Sequence, residues 1–319
     1  MRLPSRFILI ASLLLLLSAC SHQADVGVRE VDAEAVFATD DYEGQLQMRF
    51  FHLEPEETEK TGMSVLITTP EGQNILIDAG TPTVGPLLDD HLNNLNIDTI
   101  DVAIASHPHI DHIGGFHTLF ETKNIGKLIE TDLPYDSKTY VDYQQLIQEK
   151  SINVEFAEKG DIIELEEDMT LEFLNPTQDK IDRYVEVFDD FSAGIINDLS
   201  LVAKLTYKDK TFLFPGDIYD AVESELVEDY GEDLDVDVLV APHHGQHTSS
   251  SEKFIESVQP EITMIPINLL YSRPTYEDYL EFGSEVYVSQ YHGNVLLVSD
   301  GENIDIYSEF EHKSEDTNN

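Results

Sequence analysis

The amino-acid sequence predicts an α+β fold built on two facing β-sheets. Short β-branched runs alternate with segments of helical pattern along most of the chain. The order strand, strand, helix, strand occurs in both halves. In each half a buried strand ends on a cluster of histidines, and two such strand ends can meet where two sheets face each other.

In the first half, residues 64–68 (SVLIT) and 74–77 (NILI) are strands joined through Pro70-Glu71-Gly72, a hairpin signature. Residues 86–95 read as a helix, and residues 99–105 (TIDVAIA) as a buried strand that carries the chain to the first histidine cluster. In the second half, residues 200–207 and 211–214 form a hairpin across Lys208-Asp209-Lys210, followed by a helix over 218–228 and a strand over 236–240. A helix at 251–257, a strand at 262–265 and closing strands at 286–288, 295–299 and 304–307 complete a domain expected to span residues 46–310. No repeat of roughly 20–50 residues is present, so a solenoid is not expected.

At 319 residues and 41% hydrophobic content the chain has the material for a sizeable core. Its 18 Lys and Arg stand against 63 Asp and Glu, a formal net charge of −45. Such a surface is heavily solvated and excludes a broad groove for nucleic-acid phosphates, so an extended nucleic acid is not an expected partner. Arg2 and Arg6 precede an apolar run over residues 7–17, the pattern of a secretory signal peptide, here residues 1–19. Leu17-Ser18-Ala19-Cys20 resembles the bacterial lipobox, which implies cleavage before Cys20 and a diacylglycerol on its thiol. The expected location is outside the cytoplasm of a bacterium, on the membrane through the lipid alone, since no other run approaches the ~18 apolar residues of a spanning helix. Cys20 is the sole cysteine, so neither an intrachain disulfide nor a thiolate metal site can form. Residues 20–45 are small, polar and acidic and are expected to be a tether, and residues 311–319 a frayed tail.

The strongest chemical signal is Ser106-His107-Pro108-His109-Ile110-Asp111-His112-Ile113-Gly114-Gly115, directly after a hydrophobic strand. In extended backbone, residues i and i+2 point to the same side, so His107 and His109 can share one metal ion. Asp111 and His112, where a helix can begin, can face a second. Imidazole and carboxylate are ligands that zinc prefers, at about 2.0–2.2 Å. Seven of the twelve histidines lie in two clusters, residues 107–117 and 243–247, which supports a site. His243-His244-Gly245 follows residues 236–242 (VDVLVAP), again the end of a buried strand. Between the clusters, residues 211–217 (TFLFPGD) set Asp217 after a tight turn, where one carboxylate can bridge two divalent ions; the alternative is a helix N-cap. Asp78, in residues 74–80 (NILIDAG), is expected to orient a ligating imidazole rather than bind metal itself.

The ordered set LIDAG, HPHIDHIGG, NDLS, FPGD and PHHG resembles the metallo-β-lactamase superfamily, over residues from about 45 to 309. On NDLS and PHHG the chain is similar to the branch that holds the soluble hydrolase domain of ComEC-type competence proteins and the bacterial phosphorylcholine esterases. The resemblance implies a four-layer αββα sandwich with two divalent metal ions, zinc or alternatively manganese, at one edge between the sheets. By position it implies His107 and His109 on one metal, Asp111 and His112 on the other, Asp217 between them, and His243 or His244 completing the second site. Many members supply a further histidine before FPGD, but residues 118–242 contain none. Asn197-Asp198-Leu199-Ser200 stands there, so that either Asn197 or Asp198 approaches the first metal or the pair is a turn before a strand. Residues 51–56 (FHLEPE) are unlike the glycine-rich stretch of the ComEC-type pattern, which speaks against a competence role.

Two metal ions about 3.5–4 Å apart acidify a water and clamp the oxygens of an electrophile. In a chain this acidic they form a local positive focus for an anionic phosphate. The expected activity is therefore metal-dependent hydrolysis, with Asp111 and Asp217 at the catalytic centre and a phosphodiester of the envelope, the medium or a small molecule as substrate. A nuclease, a lactonase or β-lactamase-type acyl hydrolase, and a metal-binding lipoprotein without turnover are the alternatives. His247, Tyr271 and His292 are candidates to protonate the leaving group or touch the substrate.

Overall fold

Along residues 46–50 the side chains of Leu46, Met48 and Phe50 enter a shared apolar core, while Gln47 and Arg49 reach the backbone of the preceding segment. This is the period-two alternation of a strand covered on both faces. The computed structural model describes residues 27–39, 41–54, 62–187 and 192–312. The expected signal segment, Cys20, the start of the tether and the end of the tail lie outside them.

In chain order, β1 (Arg29–Val31), β2 (Leu46–Phe50), β3 (Val65–Thr68), β4 (Asn74–Ile77), β5 (Thr99–Ile104), β6 (Asn124–Glu130) and β7 (Val154–Phe156) belong to one sheet. The second sheet holds β8 (Ile162–Glu166), β9 (Met169–Asn175), β10 (Val202–Tyr207), β11 (Lys210–Phe214), β12 (Val238–Val240), β13 (Ile262–Ile265) and β14 (Glu285–Val288). β15 (Val295–Ser299) and β16 (Ile304–Ser308) return to the first. Among the described residues the strand orders are β1-β16-β15-β2-β3-β4-β5-β6-β7 and β14-β13-β12-β11-β10-β9-β8.

Each sheet joins an antiparallel part to a parallel one. β2, β3 and β4 run antiparallel and β4 to β7 parallel; β8 to β11 run antiparallel and β11 to β14 parallel. A parallel neighbour requires a crossover, and helices such as Gly85–Asn94, Lys138–Lys150, Asp220–Tyr230, Glu252–Val258 and Arg273–Glu281 provide them. Local chemistry starts several of these helices: Pro86 and Pro274 occupy first-turn positions, and the hydroxyls of Ser137 and Ser272 accept from Tyr140 N–H and Thr275 N–H.

The helices divide between the two outer faces. Met48, Phe50, Ile77 and Ile104 of the first sheet meet Phe173, Leu205, Phe212 and Val240 of the second in one core. Leu88, Leu92, Phe116 and Tyr143 cover the outer face of the first sheet, and Val222, Leu226, Phe254 and Tyr279 that of the second. At about 1.5–3 kcal/mol for each large apolar side chain removed from water, these three clusters are the main force holding the layers. The result is a helix-sheet-sheet-helix sandwich, the αββα arrangement that the resemblance implies.

The range expected to be a tether is partly built into the domain. Arg29–Val31 pairs in parallel with β16, and Ala33–Val36 is a helical turn capped by Asp32, whose carboxylate accepts from Glu34 N–H and Ala35 N–H. Val36 is fully buried with Leu296 and Val298. Buried Arg49 donates to Val36 O at 2.8 Å and Ala38 O at 2.7 Å, so a guanidinium from β2 ties the segment down. An acidic, aperiodic stretch thus takes its structure from partners distant in sequence.

Candidate metal centre

The parallel strands β4 and β5 end side by side, with Asp78 N–H donating to Ile104 O at 2.9 Å. Asp78 then turns into left-handed backbone at φ 58° and is completely buried. Its Oδ1 accepts from Ser106 N–H at 2.7 Å, and its Oδ2 accepts from the Ser106 hydroxyl at 2.7 Å. Oδ2 also lies 2.7 Å from His112 Nδ1, which fixes that ring and turns Nε2 outward. His107 precedes the helical turn Ile110–Ile113, which has His109 at its N-cap, and places its Nε2 3.0 Å from His109 Nδ1.

The second sheet supplies the opposite wall. Gly216 has φ 59°, and a Cβ there would stand 2.8 Å from Ser200 Cβ, so the FPGD turn requires glycine. Asp217 follows with its N–H on the Ser200 hydroxyl at 3.2 Å. It is not a helix cap: the next helix begins at Asp220, with Tyr219 at its N-cap position. Beyond β12, His243 and His244 both adopt left-handed backbone, at φ 51° and 54°, and a hydrogen bond from His243 N–H to Gly216 O ties the two loops together. Non-glycine residues in this region carry strain of order 1–3 kcal/mol, held here by the surrounding contacts.

These loops gather Asp111, His112, Asp217 and His244 so that one ligand atom from each lies within 4.8 Å of all the others. His112 Nε2 is 3.2 Å from His244 Nε2 and 3.3 Å from Asp217 Oδ2. His244 Nε2 is 3.5 Å from Asp217 Oδ1 and 3.7 Å from Asp111 Oδ2. Ligands at about 2.0–2.1 Å on a tetrahedral ion are separated from one another by roughly 3.3 Å, so the edges match. Asp217 Oδ1 is buried with no hydrogen-bond donor, a state that a cation would relieve. His107 Nε2 lies 3.8 Å from Asp217 Oδ2, the oxygen that His112 Nε2 also approaches, so the His107 and His109 pair borders the same carboxylate.

Electrostatics point the same way. Burial opposes charge on His112, but Asp217, Asp78 and Asp111 together raise its pKa well above the ordinary imidazole value. Burial pushes the Asp217 carboxyl upward, yet His112, His244 and His107 hold it well below the usual carboxylate range. Burial lowers His107 and His109 and takes His243 down to about 4. Three carboxylates converge here and favour the charged form of His112, so positive charge is called for, and a divalent ion suits this donor set.

Between the paired histidines, His244 enters the four-residue group. His243 is fixed by Thr248, with Nδ1 2.6 Å from its hydroxyl, and its Nε2 lies 3.1 Å from Gln246 Nε2 and 3.8 Å from Asp217 Oδ2. Asn197 and Asp198 are not a simple turn but close the short helix Ala193–Asp198, which Ser192 caps. That helix directs the two side chains differently. Asn197 is buried within reach of His109, its Oδ1 lacking a well-placed donor, whereas Asp198 Oδ1 accepts from Tyr219 N–H at 3.3 Å and is influenced by Lys180.

Of the three further candidates, Tyr271 reaches the site, its ring edge-on to His244 at 6.2 Å and its phenol pKa raised by burial and by Asp111 and Asp217. His247 is exposed. His292 Nδ1 meets Val288 N–H and its ring packs against Tyr287 and His312, none of them site residues. Sequence reasoning assigned no role to Ser106, Ser200, Tyr219 or Thr248. Their signal is position, each lying beside a motif residue, but small hydroxyls beside motifs are too common to single out.

The family model described as the metallo-beta-lactamase superfamily matches residues 58–267. Competence protein ComA of Neisseria gonorrhoeae is 29% identical over 201 residues, covering 63% of this chain and 25% of that protein. ComE operon protein 3 of Bacillus subtilis (strain 168) is 26% identical over 173 residues, covering 53% of this chain and 20% of that protein. The chain therefore spans a quarter or less of the length of these two relatives. A mutant of the CmlA β-hydroxylase, an enzyme of Streptomyces venezuelae, superposes with a TM-score of 0.50 at 11% identity over 79% of this chain and 53% of its own, a likeness of fold. The matched stretch contains both histidine clusters, Asp78 and Asp217, and by that match the chain belongs to the metallo-beta-lactamase superfamily.

Proposed function

We propose that the protein is a binuclear metal-dependent phosphodiesterase, with zinc as the ion and manganese as the alternative. The observation that carries this reading is the convergence of Asp111, His112, Asp217 and His244 around a buried carboxylate oxygen without a donor, with His107 and His109 beside it. In the proposed arrangement Asp111, His112 and His244 hold one ion, His107 and His109 the other, and Asp217 lies between. When bound, the two ions supply a water of lowered pKa and positive charge for the oxygens of an anionic substrate. Asp78 and Ser106 keep the His112 ring in register, Thr248 does the same for His243, and Tyr271 walls the site beside His244.

A phosphodiester suits the charge. None of the six residues proposed as ligands is a lysine or arginine, and bound ions would supply positive charge at the cluster for an anion approaching a chain of net charge −45. The substrate is then a compact phosphodiester of the cell envelope, the medium or a small molecule. A nuclease is the second reading, which the acidic surface opposes. The proposed location is outside the cytoplasm on a lipid anchored at Cys20, and Cys20→Ala should release the protein from the membrane fraction; among the described residues no helix is long and apolar enough to cross a bilayer.

The test is metal analysis of the purified protein combined with a panel of a phosphodiester, a lactone, a β-lactam and single-stranded DNA. Metal-dependent turnover of the phosphodiester is expected. Turnover of the lactone or β-lactam in its place would assign acyl hydrolysis, and bound metal without any turnover would assign a binding protein.

A further inference from the structure

Val222, Glu223 and Leu226 are the buried residues of the helix Asp220–Tyr230, and Glu223 is the charged one, completely removed from solvent. A buried carboxylate is costly unless hydrogen-bond donors satisfy it, and an apolar residue would pack the same face of the helix. The donors that meet this one are peptide groups from another part of the chain. Its Oε1 accepts from Ser250 N–H and its Oε2 from Ser251 N–H at 2.9 Å. The Tyr279 hydroxyl donates to Ser250 Oγ at 2.8 Å, so backbone and side chain of Ser250 are both held. None of these groups is a member of the metal cluster.

Ser250 and Ser251 close the loop that begins at His243 and His244. His243, His244 and Ser250 all adopt left-handed backbone, at φ 51°, 54° and 65°. Non-glycine residues persist there only when their surroundings hold them. At its start the loop is tied to Gly216 O through His243 N–H. Further along, Thr248 O accepts from Asp220 N–H at 3.2 Å, the Ser249 hydroxyl donates to Ile218 O at 2.7 Å, and Glu223 takes the last two amides. Ile218, Asp220 and Glu223 all follow closely on Asp217 in the chain. These bonds therefore set the loop of His244 against the segment of Asp217, whose Oδ1 lies 3.5 Å from His244 Nε2.

We propose that Glu223 is a positioning residue for the metal centre, which together with Tyr279 clamps residues 243–251 against the segment after Asp217 so that His244 faces the ion. The inference rests on the metal-centre reading above and not on the choice of substrate. A carboxylate suits the task because each of its oxygens accepts one of two successive N–H groups. A glutamine of the same shape offers one carbonyl oxygen, and its NH2 group confronts the second N–H. With that N–H unsatisfied, Ser250 is free to leave the left-handed region, the loop loosens and the His244 ring loses its place opposite Asp217.

The test is competition for Zn2+, or for Mn2+ where the wild type takes that ion, between a chelator and the full-length protein, with thermal unfolding followed in parallel. Glu223→Gln should fold, yet hold at least one equivalent of metal about 10–100-fold more weakly than the wild type. Val222→Ala opens a cavity in the same helix face without removing a hydrogen bond to the loop. It should melt at a lower temperature and keep its metal affinity within about threefold. A folded Glu223→Gln protein that binds metal as tightly as the wild type overturns this inference alone. So does an equal loss of affinity in Val222→Ala, which would trace the effect to general destabilisation. A wild type that binds neither ion overturns the metal-centre reading and this inference with it. If Glu223→Gln fails to fold, Tyr279→Phe carries the test: removing the donor to Ser250 should weaken metal binding by about 3–10-fold, and undiminished affinity is the overturning result.

Discussion

Asp78 Oδ2 meets His112 Nδ1 at 2.7 Å with both side chains fully buried, and the opposite nitrogen of the same ring lies 3.3 Å from Asp217 Oδ2. The ring is thus aimed by one carboxylate at another. Asp78→Asn should preserve the fold, because Asn tolerates the left-handed backbone at this position, yet it removes the charge and leaves one acceptor oxygen where Ser106 and His112 use two. Metal affinity is expected to fall about 10–100-fold in a chelator competition. Unchanged affinity would mean that Ser106 and packing alone orient the imidazole.

Asp217 and His244 should fail together, and His243 separately. Asp217→Ala strips a carboxylate shared by both sides of the cluster and should lose metal and activity at once, whereas His244→Ala should empty the site of Asp111 and His112. His243→Ala should leave that ion bound. Elemental analysis of the three folded variants checks this, and the roles are reversed if His243→Ala, rather than His244→Ala, loses an equivalent.

The two ions should leave in two steps. His107 and His109 have at best Asn197 where a third imidazole would stand, while the other group has two histidines and Asp111. Because Asp198 is committed to Tyr219 N–H and Asn197 lies by His109, Asn197→Ala should weaken the first ion by roughly 10-fold and Asp198→Ala should not. A single cooperative loss of both ions under graded chelation, insensitive to Asn197, contradicts this account of the first site.

Removal of residues 1–38 should destabilise the domain. Arg49 would lose its two carbonyl acceptors, and Leu296 and Val298 would lose Val36. A loss of about 2–4 kcal/mol in denaturant unfolding is expected. A truncated protein as stable as the whole chain would show that the segment is carried passively.

The fold and most of the candidate site are legible where consecutive residues share one local geometry. His107 to His112 can be read because an extended stretch and a helical turn set their directions. His244 cannot be told from His243 in the sequence, since two successive left-handed residues decide which ring faces the cluster and alternation rules describe only extended backbone. Helix Ala193–Asp198 is too short for a periodic signal, so the orientation of Asn197 is hidden. β1 has three residues and pairs with the far end of the chain, beyond any local pattern.

The central claim, a pair of ions sharing Asp217, is tested most directly by anomalous diffraction from crystals of the metal-loaded protein. Two peaks are predicted, one bounded by Asp111, His112, Asp217 and His244, the other by His107, His109 and Asp217. A single peak, or peaks remote from Asp217, would contradict it.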